Sequence, residues 1–154
     1  MKEKILEALK ALGFQLEEID DIGYDFVYEG KHYLYMYSED DEDFLNLAIP
    51  AVQDIDKDDI TPYKLMDKIN SSQKYIKAYD FFDSVWLFYE RELIGEEDLK
   101  KVLAKMILRL EYGYVFLHKL LSGSGEEEDS PSESAVNDTN NDTDNVTDND
   151  EDAA

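Results

Sequence analysis

Ile5, Leu6, Leu9 and Leu12 recur at the spacing of one face of a helix, and Gly13 follows as a natural stop. This pattern predicts a first helix over residues 2–12. From Phe14 to Ile19 apolar and polar positions alternate, and Asp20-Asp21-Ile22-Gly23 reads as a turn. Residues 24–28 and 32–37 are aromatic-rich segments of period two, separated by Glu29-Gly30-Lys31, which predicts a hairpin. Residues 38–43 form an acidic loop, and residues 44–49 a further strand ended by Pro50.

Beyond an acidic loop at residues 54–59, Thr61-Pro62 has the form of an N-cap followed by proline at the first helical position. Leu65, Met66 and Ile69 supply the buried stripe of this second helix. Residues 74–81 and 84–91 predict a second hairpin about Phe82-Asp83. Gly95 then precedes Glu96-Glu97-Asp98, acids expected in the first turn of a helix, where its dipole favours them. Leu99, Val102, Leu103, Met106, Ile107, Leu110, Tyr114, Leu117 and Leu121 run at helical spacing, with Gly113 a position at which this long helix could bend. The expected order is α-β-β-β-α-β-β-α. Strands joined by hairpins, with helices gathered on one face, define an α+β class with an antiparallel sheet of about five strands.

This order carries a resemblance. With Tyr28-Glu-Gly-Lys-His-Tyr33, Phe44-Leu-Asn-Leu-Ala-Ile-Pro50 and Leu65-Met-Asp-Lys-Ile-Asn70 before the second hairpin, the chain resembles the YbjN-like "putative bacterial sensory transduction regulator" family over about residues 2–121. The fold of that family is similar to that of type III secretion chaperones. The resemblance implies a bacterial cytosolic protein, often dimeric, that handles or regulates other proteins. It brings no functional residue with it, because the matching residues are structural in kind.

Composition divides the chain in two. All 19 aromatic residues lie before Ser122, whereas from Ser122 onward there are 12 acids and no base. Residues 1–121 can therefore bury a core and form the expected domain. Residues 122–154 are expected to be a disordered acidic tail, dispensable for folding. The body itself has 26 acids against 15 bases, which repels phosphate and argues against nucleic acid as a partner. The absence of cysteine excludes disulfides, thiolate metal sites and cysteine nucleophiles. Acidic and basic residues interrupt the N-terminal apolar positions, so this segment is an amphipathic helix rather than a leader. No stretch has the ~18–20 apolar residues of a membrane span. The cytoplasm is the expected compartment.

Catalytic chemistry finds no support in the pattern. His32 lies in a strand and His118 in the last turn of a helix, neither at triad spacing, and the glycines at 23, 30, 95 and 113 are isolated, so no phosphate loop is formed. Asp54, Asp56 and Asp58 match the first three ligands of a calcium loop. However, Asp59 stands where that loop needs glycine, and Leu65 where it needs a bidentate glutamate. No enzyme activity, cofactor or metal is therefore expected.

The strands offer a different candidate. Alternation puts Leu34 and Met36 on one face and Tyr33, Tyr35 and Tyr37 on the other, and it likewise opposes Val85 and Leu87 to Trp86 and Phe88. If the aliphatic sides meet the helices, Tyr33, Tyr35, Tyr37, Trp86 and Phe88 share the remaining face as anchors for a homodimer or a client protein. The last helix is the rival surface, since Leu108, Val115 and Phe116 widen its apolar stripe. The expected function is a non-enzymatic protein-binding module, chaperone-like or a regulatory adaptor. The alternatives are a sensory domain holding a small ligand in a sheet–helix cleft, and an acidic binder of basic proteins.

Overall fold

The computed structural model describes residues 1–123, so all but the first two residues of the expected acidic tail lie outside the described part. Within it the chain forms α1 (Lys2–Ala11), β1 (Glu17–Ile19), β2 (Gly23–Tyr28), β3 (Lys31–Met36), β4 (Phe44–Asp54), α2 (Thr61–Ser72), β5 (Ile76–Phe81), β6 (Ser84–Glu92) and α3 (Leu99–Leu121). The strands make one antiparallel sheet in the order β1-β2-β3-β4-β6-β5. The α+β class stands, with one strand more than expected: the end of the alternating run at residues 14–19 pairs with β2 as a short edge.

Both long hairpins close through two residues, since Tyr28 faces Lys31 and Phe81 faces Ser84. Glu29, Gly30, Phe82 and Asp83 all take left-handed φ, the geometry whose twist matches that of the flanking strands. At Gly23 a Cβ would lie 2.0 Å from the Tyr35 carbonyl oxygen, so only glycine lets β2 approach β3 there.

β4 does not end at Pro50. It continues to Asp54 through a bulge between Ile49 and Gln53, where Ala51 adopts φ +47°. Proline lacks a ladder donor, and a bulge is a place where a strand tolerates that loss. Two helix starts also differ from expectation. α2 begins at Thr61 itself with Ile60 as N-cap and no side-chain cap, and the Thr61 N–H donates instead to Asp59 Oδ1 at 2.8 Å, just before the helix. α3 begins after the acidic run, with Asp98 as N-cap accepting from the Lys101 N–H at 3.3 Å. It runs unbroken through Gly113, where the missing side chain lets the helix press against Ile76.

The principal core lies between the three helices and one face of the sheet. Ile5 and Leu9 from α1, Leu65 and Ile69 from α2, and Leu103, Met106 and Leu110 from α3 meet Leu45, Leu47, Val85 and Leu87. The tyrosines of β3 join them: Tyr33 is 0% and Tyr35 1% exposed, with Phe26 beside Tyr33, and Tyr37 packs at the margin. The expected orientation of β3 is thus reversed, because its aromatic side meets the helices and Leu34 and Met36 face away. Large rings fill the space between the sheet and the helices, and the Tyr33 hydroxyl finds an acceptor in Glu111 of α3.

Leu34, Ala48, Trp86 and Phe88 form a second, smaller core on the opposite face, which none of the described helices covers. It is closed by its own aromatic neighbours. Tyr79 lies parallel over Phe88 at 4.1 Å, and Phe81 meets Trp86 edge-on at 4.9 Å. Trp86 and Phe88 are consequently 7% and 0% exposed.

Candidate binding cleft

The five expected anchors do not form one surface. Tyr33, Tyr35 and Tyr37 belong to the helix-facing core, whereas Trp86 and Phe88 lie beneath Tyr79, Phe81 and Phe82 on the other face. Burial raises the pKa of the Tyr33 and Tyr35 phenols, with the Glu111 hydrogen bond a further cause at Tyr33 and nearby Tyr37 at Tyr35. These groups are structural in their surroundings.

The rival surface on the last helix develops into a cleft. An open cavity of about 890 Å³ lies where α3 passes the β5–β6 edge of the sheet. One stripe of α3 supplies Lys105, Leu108, Arg109, Tyr112, Val115, Phe116 and Lys119, at spacings of three and four that bring them to one side of the helix. Facing them are Tyr89 and Arg91 of β6, with Gln73 and Tyr75 from the connection between α2 and β5. Four cations therefore converge, and among the described residues the lining carries no carboxylate. In a chain of formal charge −23 this is a local reversal of sign.

Fixed aromatic groups hold part of this arrangement. The Tyr75 and Tyr89 rings lie parallel, 5.6 Å apart, and the Arg109 guanidinium sits 5.7 Å from the Tyr75 ring centroid. Tyr75 is at φ +72°, so the turn into β5 presents its ring outward at 61% exposure. Arg91 is tied at 3.3 Å to Glu97, whose carboxylate also accepts from the Ile94 and Gly95 N–H groups. Those backbone donors, Ile94 first, hold the Glu97 carboxyl below its usual pKa. The loop before α3 thereby fixes one cation at the cleft wall, while Lys105 and Arg109 project from the helix as exposed side chains.

The histidines take other places. His32 Nδ1 lies 2.9 Å from Asp25 Oδ2 across the β2–β3 hairpin, and His118 packs on Tyr114 at the end of α3. In the apparent calcium loop Asp56 serves its own backbone, its Oδ1 accepting from the Asp58 N–H at 3.0 Å. Sequence reasoning named Leu108, Val115 and Phe116 but missed the cations beside them. Their shared helical stripe was the available signal; Tyr75, Tyr89 and Arg91 join it only through the fold.

No helix among the described residues is long and apolar enough to cross a membrane. No protein-family model matches the chain, and no curated protein does. Among solved structures it is similar to YbjN, a putative transcription regulator from E. coli, with a TM-score of 0.58 and 12% identity, covering 79% of this chain and 92% of that one. At that identity the likeness concerns architecture alone, and the chain has a distant YbjN-like fold.

Proposed function

We propose that the chain is a non-enzymatic, regulatory protein-binding module that takes an acidic, partly apolar segment of a partner into the cleft beside α3. The observation that carries this reading is the convergence of Arg91, Lys105, Arg109 and Lys119 with exposed Tyr75 and Tyr112 in one open groove. Cations give such a site attraction and register for carboxylates, and tyrosine rings add contact area at little entropic cost. From Lys105 to Lys119 the groove follows α3 for roughly 21 Å at 1.5 Å per residue. This is the span of about six extended residues. Such a length suits a peptide better than a compact metabolite. Leu108, Val115 and Phe116 offer apolar contacts between the charges.

A fluorescent synthetic peptide alternating glutamate with leucine and phenylalanine tests this reading against the full chain. Saturable binding that weakens with salt, and falls about tenfold or more when Lys105→Glu is combined with Arg109→Glu, supports it. Binding unaffected by that pair of changes overturns it. A second reading, a small planar anion stacked on Tyr75, is favoured by the exposed ring beside Arg109. Tight binding of adenosine monophosphate with none of the peptide would select that alternative.

A further inference from the structure

We infer that the cleft has a resident competitor in its own chain: the acidic segment beyond Gly123, which occupies the groove in cis and must be displaced by a partner. The inference rests on the reading of the cleft as a site for acidic peptide. Three observations support this occupant. The first is complementarity. From Ser122 onward the sequence has 12 acids and no base, while the groove gathers four of the 15 cations of the chain. The second is position. The groove runs along α3 to Lys119, in the last turn of the helix, and the acidic run Glu126-Glu127-Glu128-Asp129 begins three residues past Gly123.

The third observation is reach. Gly123 has φ +74°, the left-handed conformation that turns a chain away from the axis of the helix it ends, and its N–H donates to the Leu120 carbonyl at 3.2 Å. Three to six residues beyond it can span at most about 10–20 Å, enough for the acids at 126–129 to reach the stretch of α3 between Lys119 and the neighbourhood of Arg109. Glu133, farther along, can reach as far as Lys105. A short tether supplies an effective concentration on the order of millimolar, so individually weak contacts suffice for occupancy. The competitor sets a threshold: a partner segment must exceed the tail in charge or in apolar contact to enter.

The absence of cysteine makes the test direct. A nitroxide spin label is attached to the full chain through Ser130→Cys, and paramagnetic broadening of amide signals is recorded. The expected result is selective broadening along residues 105–119 and at Tyr75 in low salt. It should be lost at about 0.5 M sodium chloride, where the Debye length falls below ~5 Å, and lost also when Lys105→Glu is combined with Arg109→Glu. Lys105→Gln with Arg109→Gln replaces that pair if the charge reversal unfolds the protein. Broadening that is absent, evenly spread, or centred on Lys2 and Lys10 overturns the inference. So does broadening that appears on unlabelled copies in a mixed sample, since the tail would then dock between molecules. If the cleft is not broadened but the synthetic acidic peptide still binds it through Arg109, the tail inference falls and the reading of the cleft stands. If neither occupies it, both fall.

Discussion

The Tyr33 hydroxyl donates a 2.8 Å hydrogen bond to Glu111 Oε2, while Lys31 Nζ lies 2.9 Å from the other carboxylate oxygen of Glu111. One carboxylate thus joins the tip of the β2–β3 hairpin to the middle of α3, and Lys31 also sits 5.0 Å over the Tyr114 ring. The lost hydrogen bond to a charged acceptor should make Tyr33→Phe less stable by about 1.5–3 kcal/mol in urea unfolding. A loss within error would show that Glu111 is satisfied by Lys31 alone.

The phenols of Tyr33 and Tyr35 are both shifted upward, with burial the leading cause. Their folded pKa values exceed the unfolded one of about 10, so above that pH the unfolded chain loses protons that the native chain retains. Their contribution to stability is therefore complete below about pH 10 and declines as pH rises past it. Ultraviolet titration should show tyrosines that ionise only together with loss of structure. The variant Tyr33→Phe with Tyr35→Phe should lack that late step.

Acid should weaken the start of α3. Glu97 is held below its usual range by the Ile94 N–H first, and Asp98 by the Lys101 N–H. Such groups contribute fully above their unfolded values of about 4, and the contribution disappears as pH falls through the folded ones. Glu97→Gln combined with Asp98→Asn should lower the melting temperature at neutral pH. The gap from the parent should narrow as pH falls below the usual carboxylate range, and a constant gap would assign the effect to packing instead.

Asn70 acts as a clip on the edge strand. Its Oδ1 accepts from the Ala78 N–H at 2.7 Å and its Nδ2 donates to the Ala78 carbonyl at 2.9 Å, replacing the strand that β5 lacks on that side. Asn70→Ala strands both backbone groups and should cost about 1–3 kcal/mol. Faster hydrogen exchange at Ala78 would locate the damage, and unchanged exchange there would refute the clip.

Trp86 and Phe88 should behave as core. Phe88→Ala is expected to cost about 3–5 kcal/mol, and Trp86→Glu to cause global unfolding by placing an unpaired charge beneath Phe81 and Phe82. A folded Trp86→Glu variant that merely loses a partner would return that face to the role of an interface.

The amino-acid pattern by itself determined the α+β class, all three helices, both long hairpins and the segregation of helices to one side of the sheet. These follow from local periodicity and from turn residues, which act over a few positions. It also determined that 12 acids without a base follow the last helix, and that Leu108, Val115 and Phe116 widen the stripe of that helix. Tertiary structure alone decided which side of β3 faces inward. Alternation divides Tyr33 and Tyr35 from Leu34 and Met36 but does not name the buried set when both sides are apolar, and the choice depends on the volume between sheet and helices. The same holds for the strand through Pro50, where the bulge accommodates what the local sequence argued against. It holds most of all for the cleft. Tyr75, Tyr89 and Arg91 are remote in sequence from Lys105 and Arg109, and their convergence is made only by packing α3 across the β5–β6 edge.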